Sequence, residues 1–306
     1  VPSSTRSRGR SADRPLPLPT KRHRIELGDN LDLLRRIPDG SIDLVYVDPP
    51  FNTGRDQARK RLRTVRDDAG GDRTGFQGKR YRTEVLGSMS FEDAFEDYLA
   101  FLEPRFVETR RILAPTGSLY VHLDSREVHY VKVLLDRIFG RDRFLNDIVW
   151  AYDYGGRSNR RWPAKHDDIL FYVRDPAAYH FDTVEVERIP YMAPGLVGEE
   201  KAARGKLPTD TWWHTIVPTN SRERTGYPTQ KPVGILRRIV AASSRPGDLV
   251  LDFFAGSGTT GAAAAELGRR FWLVDSNPEA MAVMAKRFAR LDVEWVGWAP
   301  GARAPR

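Results

Sequence analysis

The chain has 306 residues, 40% of them hydrophobic and 29% charged, enough for one large domain or a domain with an insert. Cysteine is absent, which excludes disulfides, thiolate metal ligands and a cysteine nucleophile, and the six histidines are scattered, so no metal is expected. No apolar run is long enough to cross a bilayer and no signal-peptide core follows the N-terminus, so the expectation is a cytoplasmic protein with no membrane partner.

The net charge of +8 sits in two blocks. Residues 1–24 carry seven basic side chains against one acidic, and residues 55–82 carry ten against four. The rest of the chain is mildly acidic. Two basic blocks on such a body point to a polyanion partner. Both are also poor enough in apolar residues to be solvated segments with no partner.

In chain order, residues 1–22 are rich in Arg, Ser and Pro and read as a disordered basic arm. A strand over 24–27 ends at Gly28-Asp29, and Asn30 is the expected N-cap of a helix over 31–36. Residues 42–47 are apolar except at Asp43, as in a strand buried on both faces. This strand runs into Asp48-Pro49-Pro50-Phe51. Residues 52–88 are Gly-rich and basic and read as a long mobile loop. Helical spacing covers 91–112. A strand over 118–123, a helix over 126–139, and strands over 148–152 and 169–173 follow. Residues 174–228 show little period. Pro232 opens a helix over 233–242. A strand over 249–252, a helix over 259–267, a strand over 271–275 and a helix over 278–291 complete the pattern. Strands alternate with helices, so the fold class is α/β with a doubly wound, mostly parallel sheet of seven strands.

Gly256-Ser257-Gly258-Thr259-Thr260-Gly261 satisfies G-x-G-x-x-G between a strand and a helix. Glycine lets the backbone turn tightly and approach a ligand with no Cβ in the way. Asp275 ends the next strand, where ribose hydroxyls would lie. This pattern alone fits a dinucleotide as well as an adenosyl group. Asp252 and Phe254, at the mouth of the turn, favour the adenosyl group: a carboxylate suits a sulfonium or an ammonium and repels a pyrophosphate. The chain after Gly261 is also too short to complete a dinucleotide domain. The remaining strands are expected from 24–173, in a circular order that makes the 42–47 strand a neighbour of the glycine cradle.

Asp48-Pro49-Pro50-Phe51 suits a complementary task. The exocyclic amine of adenine or cytosine is a poor nucleophile, because its lone pair is delocalised into the ring. Acceptors on its N–H groups help it attack a methyl group. Asp48 offers a carboxylate and Pro49 a carbonyl, and adjacent prolines hold both rigidly. Phe51 offers a flat face. Extruding a base from a duplex costs a few kcal/mol, and stacking returns ~1–3 kcal/mol, so Phe51 would offset much of that cost without driving it. The bland alternative is a strand-ending turn with a core Phe.

Asp48 to Gly54 (DPPFNTG), then Thr229-Gln230-Lys231-Pro232, then Asp252 to Thr260 resemble the amino-methylating DNA methyltransferases in their beta arrangement, over about residues 23–291. That resemblance implies a circularly permuted Rossmann-like methyltransferase fold, S-adenosyl-L-methionine as cofactor and double-stranded DNA as substrate. It assigns catalysis to Asp48, Pro49, Pro50 and Phe51. It assigns the cofactor to Asp29 (beside adenine), to Gln230, Lys231 and Pro232 (at the methionine end), to Asp252, Phe254, Gly256, Ser257, Gly258 and Thr259, and to Asp275 (on ribose). Asp at the first motif position favours adenine N6, with cytosine N4 the alternative; Phe51 stands where Tyr is common. The implied division is a basic arm over 1–22 and a catalytic half over 23–152, whose loop 52–88 closes over the base or clamps DNA. A target-recognition region over 153–228, including a strand near 169–173, comes next, then a cofactor half over 229–295 and a tail over 296–306. A cognate restriction endonuclease and a homodimer are further partner expectations. An NAD-dependent oxidoreductase and a non-catalytic DNA-binding regulator stay open as remoter readings, as do RNA or protein acceptors.

Overall fold

The computed structural model describes residues 17–19, 22–50, 57–66, 73–74, 80–91 and 97–301. Most of the basic arm, Phe51 and the end of the tail lie outside the described residues. At the centre of the main sheet are β2 (Ile42–Val47) and its parallel neighbour β10 (Leu249–Asp252), with Leu44 opposite Val250 and Val45 opposite Leu251. β2 is apolar at every position but one because both its faces are covered. Val45 and Val47 pack with Leu33, Leu34, Leu102 and Phe106 on one side, and Leu44 and Tyr46 pack with Ile235, Ile239 and Ala263 on the other. Leu44, Val45 and Val47 are each 0% exposed, and burying such a side chain stabilises the fold by ~1.5–3 kcal/mol. Asp43, the one charged residue of β2, accepts from the backbone N–H of Leu249 at 2.8 Å and so fixes where β10 begins.

The first covering layer is α1 (Asn30–Leu34), α2 (Tyr98–Ile112) and α3 (Val128–Phe139); the second is α5 (Val233–Ser243), α6 (Thr259–Glu266) and α7 (Pro278–Arg287). The other strands of the sheet are β1 (His23–Leu27), β6 (Leu113–Leu123), β7 (Phe144–Ala151), β8 (His166–Val173), β9 (Thr211–Trp213), β11 (Arg270–Asp275) and β12 (Val293–Val296). Their order is β12-β1-β11-β10-β2-β6-β8-β7-β9. Only β8 is antiparallel to its neighbours. The carboxyl ends of all the other strands therefore share one edge, the edge on which doubly wound sheets bind ligands.

The sheet has nine strands, not seven. The two extra strands, β9 and β12, are edge strands of three and four residues, too short to show a period. Three further expectations need correction. Asp29, not Asn30, caps α1, accepting from the N–H groups of Leu31 and Asp32 at 2.8 and 3.0 Å. Phe91 ends a strand rather than opening a helix; α2 begins at Tyr98, capped by Asp97. Within 52–88, β3 (Gln57–Arg66), β4 (Arg73–Thr74) and β5 (Arg80–Phe91) form a separate antiparallel sheet in the order β3-β5-β4, where a loop was expected. Alternation in β5, with Tyr81, Thr83, Val85, Met89 and Phe91 at odd positions, is a strand signal that the surrounding glycine and charge obscure. Among the described residues of 174–228, regular structure is limited to short pieces, including β9 and the six-residue α4 (Glu199–Arg204).

Candidate active site

Because β2 and β10 are parallel neighbours, the residues that follow them emerge side by side. Asp48, Pro49 and Pro50 line one flank of a cavity of about 360 Å³, and Asp252 to Ser257, Thr259 and Asp275 line the other. Two segments about two hundred residues apart thus share one cleft. Asp29 and Lys231 also line it.

Asp48 meets a cation here. The Lys231 ammonium donates to both of its carboxylate oxygens at 2.7 Å. Lys231 is held in turn through its backbone carbonyl, which accepts from the Thr259 hydroxyl at 3.2 Å. Gln230 faces away from this chemistry. Its side-chain oxygen accepts from the Thr225 N–H and hydroxyl at 2.7 and 2.9 Å, and its amide donates to the Glu223 carbonyl at 2.7 Å, bracing the turn that delivers Lys231. Pro232 precedes α5 as its N-cap.

Asp252 is 2% exposed. Burial pushes its carboxyl up to about 7, against hydrogen bonds from the Thr260 hydroxyl at 2.6 Å and the Phe254 N–H at 3.0 Å, and the charges of Asp48 and Asp275 push the same way as burial. Asp275 is also raised by burial, and it accepts from the N–H groups of Gly256 at 2.7 Å and Asn277 at 2.8 Å. It therefore clamps the glycine turn as well as facing the cavity.

The glycines divide by function. Gly256, at φ +49°, lines the cavity, and a Cβ there would lie 3.0 Å from the Tyr227 ring. Gly258, at φ +73°, serves the core instead: a Cβ would come within 2.8 Å of Phe288 Cε2 and 3.0 Å of Met284 Cγ on the α7 side.

Sequence reasoning missed several cavity residues. Asn30 donates to the Phe253 carbonyl at 2.8 Å and accepts from Arg105 Nε at 2.7 Å. The Arg105 guanidinium sits 3.7 Å from the centre of the Phe101 ring, and Phe101 leans on Phe254 with centroids 6.1 Å apart. This makes an aromatic wall with a polar brace behind it. Deeper, Tyr46 lines the cavity and its hydroxyl shares a 2.8 Å hydrogen bond with His122 Nδ1. His122 Nε2 lies 3.1 Å from Asp167, which also accepts from the Tyr152 hydroxyl at 3.0 Å. The only sequence signal for this chain of hydrogen bonds was one histidine in the apolar run Leu119 to Leu123.

An acceptor carboxylate fixed beside paired prolines, opposite an acidic glycine turn at the carboxyl edge of a doubly wound sheet, defines a nucleotide-type α/β group-transfer enzyme. Residues 42–287 match the DNA methylase family, and the chain belongs to it. It is 30% identical over 275 residues to the Type II methyltransferase M.HpaI of Haemophilus parainfluenzae, covering 90% of this chain and 76% of that one. It is 31% identical over 268 residues to the DNA adenine methyltransferase YhdJ of Escherichia coli strain K12, covering 85% and 80%. The solved M1.HpyAVI–SAM complex aligns over 87% of this chain and 98% of its own, with TM-score 0.56 and 19% identity. The PvuII DNA methyltransferase (cytosine-N4-specific) aligns over 88% and 86%, with TM-score 0.60 and 19% identity. At those identities the structures speak for the fold, and they bear out the α/β expectation. Among the described residues no group of His, Asp or Glu could hold a metal ion, and no helix is long and apolar enough to cross a membrane.

Proposed function

We propose that this chain transfers a methyl group from S-adenosyl-L-methionine to the N6 amino group of an adenine rotated out of double-stranded DNA. The observation that carries this reading is the single cavity shared by Asp48-Pro49-Pro50 and the Asp252–Asp275 cradle. The cavity suits that cofactor: the Asp252 carboxyl matches a cationic group, Asp275 matches ribose hydroxyls, the Phe101–Phe254 wall matches a purine, and Gly256 gives backbone access without a Cβ. The holders are Asp29, Asp252, Phe254, Gly256, Ser257, Thr259 and Asp275, with Gln230, Pro232 and Gly258 shaping the turns behind them. When bound, the cofactor supplies an electrophilic methyl group. Asp48 and the Pro49 carbonyl accept the N–H groups of the incoming amine and free its lone pair, the proline rings keep both acceptors from relaxing, and Phe51 is assigned the stacking face. Adenine is favoured over cytosine by Asp at the first motif position, and YhdJ carries adenine in its name.

The segment between β7 and β8 leaves the sheet from the same edge as Asp48 and carries Arg157, Arg160, Arg161 and Lys165 against Asp153. Trp162 within it is 94% exposed. We assign this segment to DNA contact within a recognition region over 153–228, and the basic β3–β5 strands to a clamp. A cognate restriction endonuclease, since M.HpaI and M.BglII are Type II methyltransferases, a second copy of the chain, and a cytoplasmic location belong to the same reading.

The test is to incubate the protein with unmethylated DNA and labelled S-adenosyl-L-methionine, digest to nucleosides and weigh them. N6-methyladenine is expected. N4-methylcytosine alone would overturn the choice of base, and a folded, cofactor-binding protein that labels no DNA would overturn the reaction.

A further inference from the structure

Lys231 sits on the atoms that the reaction needs. Its Nζ lies 2.7 Å from Asp48 Oδ1 and 2.7 Å from Oδ2, and the two side chains are only 11% and 16% exposed. A carboxylate gripped on both oxygens by one nitrogen cannot also accept a second nitrogen in the same place. The ammonium and the amino group of a base are the same kind of object to Asp48: a nitrogen that presents several N–H donors.

The charge of Lys231 also acts on a second anion, Asp167. Burial opposes ionisation of Asp167, but the His122 hydrogen bond, the His122 charge and the Lys231 ammonium together hold its carboxyl below the usual range. Asp167 belongs to the buried chain Tyr46–His122–Asp167–Tyr152, which crosses β2, β6 and β8 and ends just past β7, beneath the cavity.

Resting on the function proposed above, we infer that Lys231 is a positioning residue that stands in for the substrate's amino group. It holds Asp48 oriented while no base is present, and it gives up that place when the amine arrives. A cationic cofactor in the same cavity repels the ammonium and biases it the same way. Among the described residues, the charge of Asp48 also acts on Tyr46 from β2, Asp252 from the end of β10, and Tyr227 from the turn before Gln230.

The experiment measures kcat and KM for methyl transfer to DNA by the full chain, with Lys231→Met and Lys231→Arg beside the unmutated protein and cofactor affinity read by calorimetry. In Lys231→Met the place on Asp48 is open but nothing holds the carboxylate in its orientation, so kcat falls by about tenfold or more while KM for DNA does not rise and cofactor Kd stays within about threefold. In Lys231→Arg the positive charge stays, but a planar guanidinium grips both oxygens and does not yield, so KM for DNA rises by about tenfold or more. An unchanged kcat in Lys231→Met overturns the inference, and cofactor binding weakened about tenfold in its place overturns it and makes Lys231 a cofactor grip. If Lys231→Met does not fold, Lys231→Arg decides: an unchanged KM for DNA refutes the placeholder. An unmutated protein that methylates no DNA refutes the proposed function, whereas an active one with unresponsive variants refutes only the role of Lys231.

Discussion

Replacing Gly258 with alanine tests the division between a ligand-facing and a core-facing glycine. The added Cβ meets two costs. Gly258 has φ +73°, a left-handed conformation that costs an L-residue about 1–2 kcal/mol. The Cβ would also stand 2.8 Å from Phe288 Cε2 and 3.0 Å from Met284 Cγ, and these side chains are 3% and 0% exposed, so neither can swing into solvent. Overpacking of that kind costs about 1–3 kcal/mol. Together the two give about 2–5 kcal/mol, a large share of a typical domain stability of about 5–15 kcal/mol. At about 2–4 °C per kcal/mol for a chain near this size, the melting temperature falls by about 4–20 °C. Circular dichroism melts with and without S-adenosyl-L-methionine read both effects. Gly258→Ala is expected to melt early yet keep its cofactor-induced shift. Gly256→Ala, whose Cβ would enter the cavity beside Tyr227, is expected to lose that shift. If Gly258→Ala melts like the unmutated protein, the close packing of the glycine turn against Phe288 and Met284 is wrong.

Three other outcomes follow from the site. Asp252 titrates at about 7 in the fold against an ordinary value of 3.8; a carboxyl raised in this way favours the fold at low pH, and that share is lost as pH rises through the window between the two values, at about 1.36 kcal/mol per unit. Urea melts at about pH 4 and about pH 8 should therefore show Asp252→Asn declining less than the unmutated protein, and parallel declines would remove Asp252 as the source. Arg105→Met deprives Asn30 and the Phe101 carbonyl of their donors, so it should destabilise the fold by about 1–3 kcal/mol and weaken cofactor binding; unchanged calorimetry would show that the aromatic wall stands without its brace. Neutralising Arg160 and Arg161 with glutamine should lower the log–log salt dependence of DNA binding by about 0.9 for each phosphate that is no longer neutralised, whereas an unchanged slope would place the DNA elsewhere.

Much of this arrangement was legible because it rests on local chemistry. β2 and β10 are apolar at nearly every position, which marks central strands, and both run straight into the residues that line the cavity. What stayed hidden depends on distant partners. Asp29 and Asn30 are equally good caps by residue type; Asn30 is drawn inward by the Phe253 carbonyl and Arg105, 223 and 75 residues away. Gly256 and Gly258 are indistinguishable in a G-x-G string, and only the packing of Phe288 and Met284 separates them. Lys231 and Asp48 are 183 residues apart, so no spacing rule announces their pairing. His122 looked like an ordinary strand residue until Tyr46 and Asp167 arrived on either side of it.

The position of β10 sets the timetable of assembly. It lies between β11 and β2, so it joins the flank that holds β1 to the flank that holds β6 and β8, yet it is made only after residue 248. A nascent chain made as far as β9 therefore has β2, β6, β8, β7 and β9 for one flank but only the single strand β1 for the other, and pairings of such long sequence separation form late. Any chain cut short before β10 lacks the cavity wall opposite Asp48, so synthesis leaves no half-built copy with a complete cleft.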